Sequence, residues 1–295
     1  MTVYSQIAQN KLKTYLIFVV FILIFTGFFL IIGNAYGSPW PYALLGLTIS
    51  LVSTVGSFFY SDSLVLKTTK ARKATKEEFF DLYTVVENLS LAAGLPSPKI
   101  YVMDDSSPNA FATGRNAKHA VVCATTGLLN ILDRTELEGV MAHELSHIKN
   151  YDILVSTVTA VLVGTIALVA DLIMRSFWFS SGSRDRNKNP IGLLLLIAAI
   201  IITPIVATLI QLAVSRRREY LADASGVLIT RYPEGLARAL TKISSYPVGV
   251  KSATTSTAHL FISNPFRKNA AGSMMRSLFS THPPAEKRIE ILRRM

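Results

Sequence analysis

His143-Glu144-Leu145-Ser146-His147 decides how this 295-residue chain is read. The pentapeptide has the form H-E-x-x-H. Asp133-Arg134-Thr135-Glu136 ahead of it reads as a capping box, and Leu137, Val140, Met141, Leu145 and Ile148 recur at helical spacing. Four residues along a helix turn through about 400°, so His143 and His147 project from one face with their rings a turn apart. Two neutral imidazoles so placed can bind one Zn²⁺ at about 2.0–2.1 Å each. Glu144 lies beside that face and can reach a water molecule at the metal rather than the metal itself. The chemistry implied is zinc-assisted hydrolysis of a peptide bond. A solvated helix face could carry the same three residues, but the cap and the apolar stripe favour the metal.

Half of the residues are hydrophobic, and 30 Lys and Arg stand against 19 Asp and Glu, a net charge of +11. Such a balance suits nucleic acid or an anionic membrane. No nucleic-acid recognition motif is present, and the basic residues cluster beside long apolar runs, so the bilayer is the expected partner and nucleic acid is not. The single cysteine, Cys123, excludes an intrachain disulfide and reads as a small buried strand residue.

Four apolar runs, Leu16–Gly33, Tyr42–Tyr60, Ile153–Ala170 and Ile191–Ser215, reach the roughly 18 residues that a spanning helix needs. The first is long for a signal peptide and reads as a retained anchor. Lys11 and Lys13 precede it, and Lys67, Lys70, Arg72, Lys73 and Lys76 follow the second run, while Asn34–Pro41 between them is uncharged. The positive-inside rule then puts the N-terminus, the H-E-x-x-H segment and the C-terminus in the cytoplasm. Arg175, Arg184, Arg186 and Lys188 between the third and fourth runs suit the outside poorly, which leaves open whether that hairpin fully crosses.

The expected organisation is a transmembrane hairpin over 1–60, a first catalytic segment over 61–152, a second hairpin over 153–215 and a second catalytic segment over 216–295. Within the first segment a helix is expected over Thr75–Ala93, stopped by Gly94–Pro98. Strands are expected over Lys99–Met103, Asn109–Thr113 and His119–Cys123. Thr254–Ser273, rich in Ser, Thr, Asn and Ala, reads as a mobile loop. The fold class is an α+β membrane protein: four transmembrane helices in two hairpins, with a mainly helical cytoplasmic domain holding a small sheet.

A catalytic zinc needs a third protein ligand and an open fourth position. The best candidate lies in Arg218-Glu219-Tyr220-Leu221-Ala222-Asp223, where Glu219 and Asp223 share a helical face. Glu219 could bind the metal, and Asp223 could accept a hydrogen bond from the far nitrogen of a histidine ligand. Ordinary pairing with Arg216–Arg218 is the competing reading. If the third and fourth runs form a hairpin, His147 and Glu219 emerge together close to the membrane surface.

H-E-L-S-H, the later E-x-x-x-D, Asn109-Ala110-Phe111-Ala112-Thr113-Gly114, Ser280-Thr281-His282-Pro283-Pro284 and the four apolar runs together resemble the HtpX-type membrane-bound zinc metalloproteases of bacteria, a family in the superfamily of the CAAX prenyl endopeptidases. The resemblance covers essentially the whole chain. It implies a zincin-like domain with one Zn²⁺ per subunit on His143, His147 and Glu219, and Glu144 as the catalytic residue. It further implies a location in the inner (plasma) membrane and cytoplasmic-side proteolysis of damaged or misassembled membrane proteins, as quality control under stress.

Asn109, Ala110, Phe111, Ala112 and Thr113 could pair with an extended substrate through backbone hydrogen bonds, or could be a plain buried strand; the resemblance favours substrate binding. His259 and His282 are candidates to stabilise an oxyanion. Two rivals remain: a membrane scaffold with a structural zinc domain, and a prenyl-protein endopeptidase. A structural site would want a closed Cys and His shell, which one cysteine does not supply. Four apolar runs are few for a multi-helix prenyl-peptide chamber.

Overall fold

A computed structural model describes residues 3–180, 216–266 and 283–295. Two long helices open the chain, α1 (Val3–Ala35) and α2 (Pro39–Thr68), and a third, α6 (Asp152–Ser180), follows the H-E-x-x-H helix. Within them Ser5–Asn34, Pro39–Thr68 and Asp152–Leu172 are long and apolar enough to cross a bilayer. The three helices pack on one another. Ile17, Phe21 and Phe25 of α1 meet Val155, Val158 and Leu162 of α6 in a shared apolar core. The fourth run, Ile191–Ser215, lies outside the described residues, so the expected four helices in two hairpins are represented by three. α2 continues to Thr68, past the end of its uncharged run at Tyr60.

Between α2 and α6 stands a four-stranded sheet in the order β1 (Arg72–Lys73), β2 (Lys99–Met103), β4 (Ala120–Thr125), β3 (Ala110–Gly114). β2 and β4 run parallel, while β1 pairs antiparallel with β2 and β3 with β4. β2 falls where the sequence puts it, and β3 and β4 each begin one residue later than expected. Cys123 is fully buried in β4, and burial pushes its thiol pKa up, which makes it inert. Helix α3 (Phe80–Ala93) starts five residues inside the expected span. The Arg72 guanidinium binds Glu78 and, at 3.1 Å, Asp104, which draws the 75–79 stretch into turns at the sheet edge. Gly94 ends α3 in the left-handed region, φ 68°.

After the short α4 (Thr126–Ile131) comes α5 (Arg134–Lys149), the H-E-x-x-H helix. Its capping box forms as read: Asp133 accepts from the Glu136 amide at 2.9 Å, and Glu136 accepts from the Asp133 amide at 2.9 Å. Leu137, Val140, Met141, Leu145 and Ile148 are all buried in one core with Val86 of α3, Val122 of β4 and Leu240 of α8 (Pro233–Ser245). Two glycines set how near the neighbouring helices come. A Cβ on Gly139 would sit 2.6 Å from the Leu236 amide nitrogen of α8, and one on Gly226 of α7 (Arg216–Thr230) would sit 3.1 Å from the His143 nitrogen. Gly139→Ala is therefore expected to force α5 and α8 apart and destabilise the protein by about 1–3 kcal/mol, read from the thermal midpoint in detergent.

The described part of the Thr254–Ser273 stretch corrects the expectation of a mobile loop. Thr254 and Thr257 bond to each other, and a short 3₁₀ turn over Ala258–Leu260 leads to fully buried Phe261, whose ring stands edge-on to Phe111 of β3 at 5.2 Å. One aromatic anchor outweighs the polar composition around it.

Candidate metal centre

His143 and His147 project from the C-terminal half of α5, and Glu219 from the first turn of α7. One ligand atom from each lies within 4.8 Å of the other two. The two histidine Nε2 atoms are 3.1 Å apart, and the Glu219 carboxylate oxygens stand 3.6 Å from His143 Nε2 and 3.5 Å from His147 Nε2. Ligands about 2.0–2.1 Å from a tetrahedral ion are separated by about 3.3 Å, so these donors fit around one ion. Their chemistry fits as well: two imidazoles and a carboxylate leave the fourth position open. Gly226 permits this meeting, because α7 packs on α5 at His143 itself.

Both rings are held from behind. His143 Nδ1 lies 2.8 Å from Asp223 Oδ1, and His147 Nδ1 lies 3.1 Å from Asp152 Oδ2. With each Nδ1–H donating to a carboxylate, each Nε2 carries its lone pair toward the shared centre. Asp223 is the partner its spacing suggests. Asp152, the first residue of α6, was not legible as one. Only the two residues Asn150 and Tyr151 separate α5 from α6. Tyr151 takes φ 61°, a left-handed turn that folds Asp152 back onto His147.

Each carboxylate is itself fixed. Arg288, in α9 (Ala285–Leu292), binds Asp223 through two hydrogen bonds of 2.8 and 2.7 Å and also donates to the Ile262 carbonyl at 3.2 Å. Its guanidinium is 2 % exposed, lies 3.8 Å from Glu219 and feels the charge of Glu144. Burial works against the Asp223 carboxylate, but the Arg288 cation and the His143 contact hold it below the usual range. On the other side, Arg218 donates to Asp152 at 3.0 Å and Asn10 of α1 donates to it at 2.9 Å. In the metal-free protein burial lowers the His143 pKa, yet its bonds to Asp223 and Glu219 more than offset this and raise it to about 9. A metal must displace that proton, so acidification favours metal loss. Asp223→Asn, which keeps the shape but weakens the acceptor, is expected to lower metal affinity about 10–100-fold in a chelator competition.

Glu144 is buried beside the two histidines, 2 % exposed. Ala110–Thr113 falls on β3, with Asn109 just before it, all of it buried, at the open side of the sheet. Asn109 pairs inward with Thr125. By the alternation of an antiparallel ladder, Ala110, Ala112 and Gly114 then turn their backbone groups outward. Ile262 donates to the Ala110 carbonyl, and Thr157 receives the Gly114 amide. Ala112 sits between those two covered positions, with its amide and carbonyl toward the edge. His259 is buried with Nε2 2.9 Å from the Ser156 carbonyl of α6, which commits that nitrogen to the fold. His282 lies outside the described residues.

The sequence model of peptidase family M48 matches residues 76–295. The chain is similar to a protein named Protease HtpX homolog from Dictyoglomus thermophilum, 50% identical over 297 residues, with 100% of this chain and 95% of the relative covered. A protein of the same name from Tropheryma whipplei is 46% identical over 292 residues, covering 99% of this chain and 98% of its own length. Among solved structures, that of S. mikatae Ste24p superposes with a TM-score of 0.52 at 20% identity, over 98% of this chain and 67% of that one, a likeness of fold.

Proposed function

The chain belongs to peptidase family M48 and is a membrane-bound metalloendopeptidase, and from that premise we propose that it cuts damaged or misassembled membrane proteins at the cytoplasmic face of the bacterial plasma membrane, using one Zn²⁺ held by His143, His147 and Glu219. The observation that carries the zinc assignment is the cluster itself, whose two Nε2 atoms and one carboxylate fit a tetrahedral ion with a position to spare. A structural zinc would want that position closed. When bound, the ion supplies Lewis acidity to the scissile carbonyl and acidifies a water molecule.

The remaining work falls to side chains of this chain. Glu144 takes the proton of the attacking water and passes it to the leaving amine. Asp223 and Asp152 keep the two imidazoles in one tautomer and one orientation throughout, and Arg288 keeps Asp223 charged. Ala112 offers its amide and carbonyl to an extended substrate, which would lie along β3 as an added strand. Basic residues at Lys11, Lys13 and Lys67–Lys76 support the cytoplasmic orientation.

The test uses purified full-length protein in detergent, with casein and an unfolded membrane protein as substrates. Cleavage is expected to stop with a chelator and to return when stoichiometric Zn²⁺ is restored. Cleavage that persists with no metal bound would remove the assignment.

A further inference from the structure

A second polar feature lies just behind the metal centre, where α1 meets the start of α7. There a cavity of about 520 Å³ is lined by Gln6, Asn10, Lys13, Asp152, Arg217 and Tyr220 among others, with Arg218 in its wall. Its charge is lopsided. Lys13, Arg217 and Arg218 face one carboxylate, Asp152, whose oxygens are already held by His147, Arg218 and Asn10. Among the described residues neither Lys13 nor Arg217 has a hydrogen bond or ion pair. Three cations therefore border an open cavity against a single carboxylate that is already shared.

The cavity also has a definite depth. Lys13 lies in the opening turns of the Ser5–Asn34 span, and Asp152 begins the Asp152–Leu172 span. Both put the cavity at the level where the helices enter the bilayer. Beside and beyond Lys13 on α1, Leu12, Leu16 and Val19 are 69%, 50% and 53% exposed, and Tyr15 is 61% exposed. A ligand with a phosphate and an apolar tail would satisfy both surfaces at once, with its anion on the cations and its chains along α1. A free phosphate would use only the first. Basic pockets between helices on the cytoplasmic side are the expected place for such headgroups.

We propose that this cavity binds the phosphate headgroup of an anionic phospholipid, gripped by Lys13, Arg217 and the outer edge of Arg218, with its acyl chains along Leu12, Leu16 and Val19. Arg218 is shared between the lipid and Asp152, so only Arg218 and Asp152 stand between the headgroup and His147. The bilayer would thereby brace one wall of the metal centre.

The test is native mass spectrometry of the full-length, metal-loaded protein in detergent, titrated with phosphatidylglycerol, phosphatidylcholine or inorganic phosphate. Phosphatidylglycerol is expected to bind saturably and phosphatidylcholine more weakly. Lys13→Gln and Arg217→Gln should each weaken phosphatidylglycerol binding about five-fold, and together about 25-fold. Lys67→Gln with Lys70→Gln, which removes two exposed charges elsewhere, should leave binding unchanged. Lys13→Arg with Arg217→Lys should retain it, and metal content reports whether each variant is folded. Unchanged binding in the Lys13 and Arg217 variants, or equal loss in the Lys67/Lys70 control, would overturn the site. Displacement of the lipid by inorganic phosphate at comparable concentration would overturn the lipid as its occupant.

Discussion

Glu144→Gln is expected to lower peptide hydrolysis by about 10²–10⁴-fold while metal content stays at one ion per chain. Glutamine keeps the volume and the hydrogen-bonding reach of glutamate but cannot take a proton from water. Because Glu144 is buried, only 2 % exposed, a change of shape there would disturb packing, and the near-isosteric amide avoids that. Metal analysis and a cleavage assay on the same preparation separate the two roles a carboxylate can play. Loss of the ion in this variant would make Glu144 a ligand and leave the reaction without its assigned base.

Glu219→Ala is expected to do the reverse: the ion goes, and activity goes with it. The two histidines alone supply only two donors, and the negative charge that offsets the dication is gone. Arg288, 3.8 Å from Glu219, then faces the centre with one fewer anion beside it, which further disfavours a cation there. Metal per chain after dialysis measures the effect, with His143→Ala as the reference for a lost ligand. Full occupancy in Glu219→Ala would remove Glu219 from the centre and undo the idea that α5 and α7 share one ion.

The parts of this site legible in the sequence are those written in local spacing. His143 and His147 are one helical turn apart, and so are Glu219 and Asp223. The same 3.6-residue period that puts each pair on one face predicted the amphipathic stripe of α5 and its cap. Three strands are legible from their apolar runs, β2 to the residue and β3 and β4 to within one or two residues at their ends. What stayed hidden depends on distant chain segments meeting. Asp152 looks like the polar start of an apolar run, and only the left-handed turn at Tyr151 makes it a partner of His147. Asn10 and Arg288 carry no local signal, since their roles rest on contacts with residues 142 and 65 positions away. β1 is two residues of charged chain, too short for any alternation to register. Phe261 was obscured because composition averages over a window, whereas one ring filling a gap beside Phe111 fixes the segment.

Arg288 has a bearing on synthesis as well as on geometry. The pentapeptide and Glu219 are both translated well before α9, so a growing chain carries every proposed metal ligand while Asp223 still lacks its guanidinium. Asp152 and Asn10, meanwhile, meet only once α1 and α6 lie side by side. Full bracing of the two histidines thus comes late, after α1 and α6 have met and α9 has been made. A hydrolase built this way ripens last at the place where it could do most harm to its own maker.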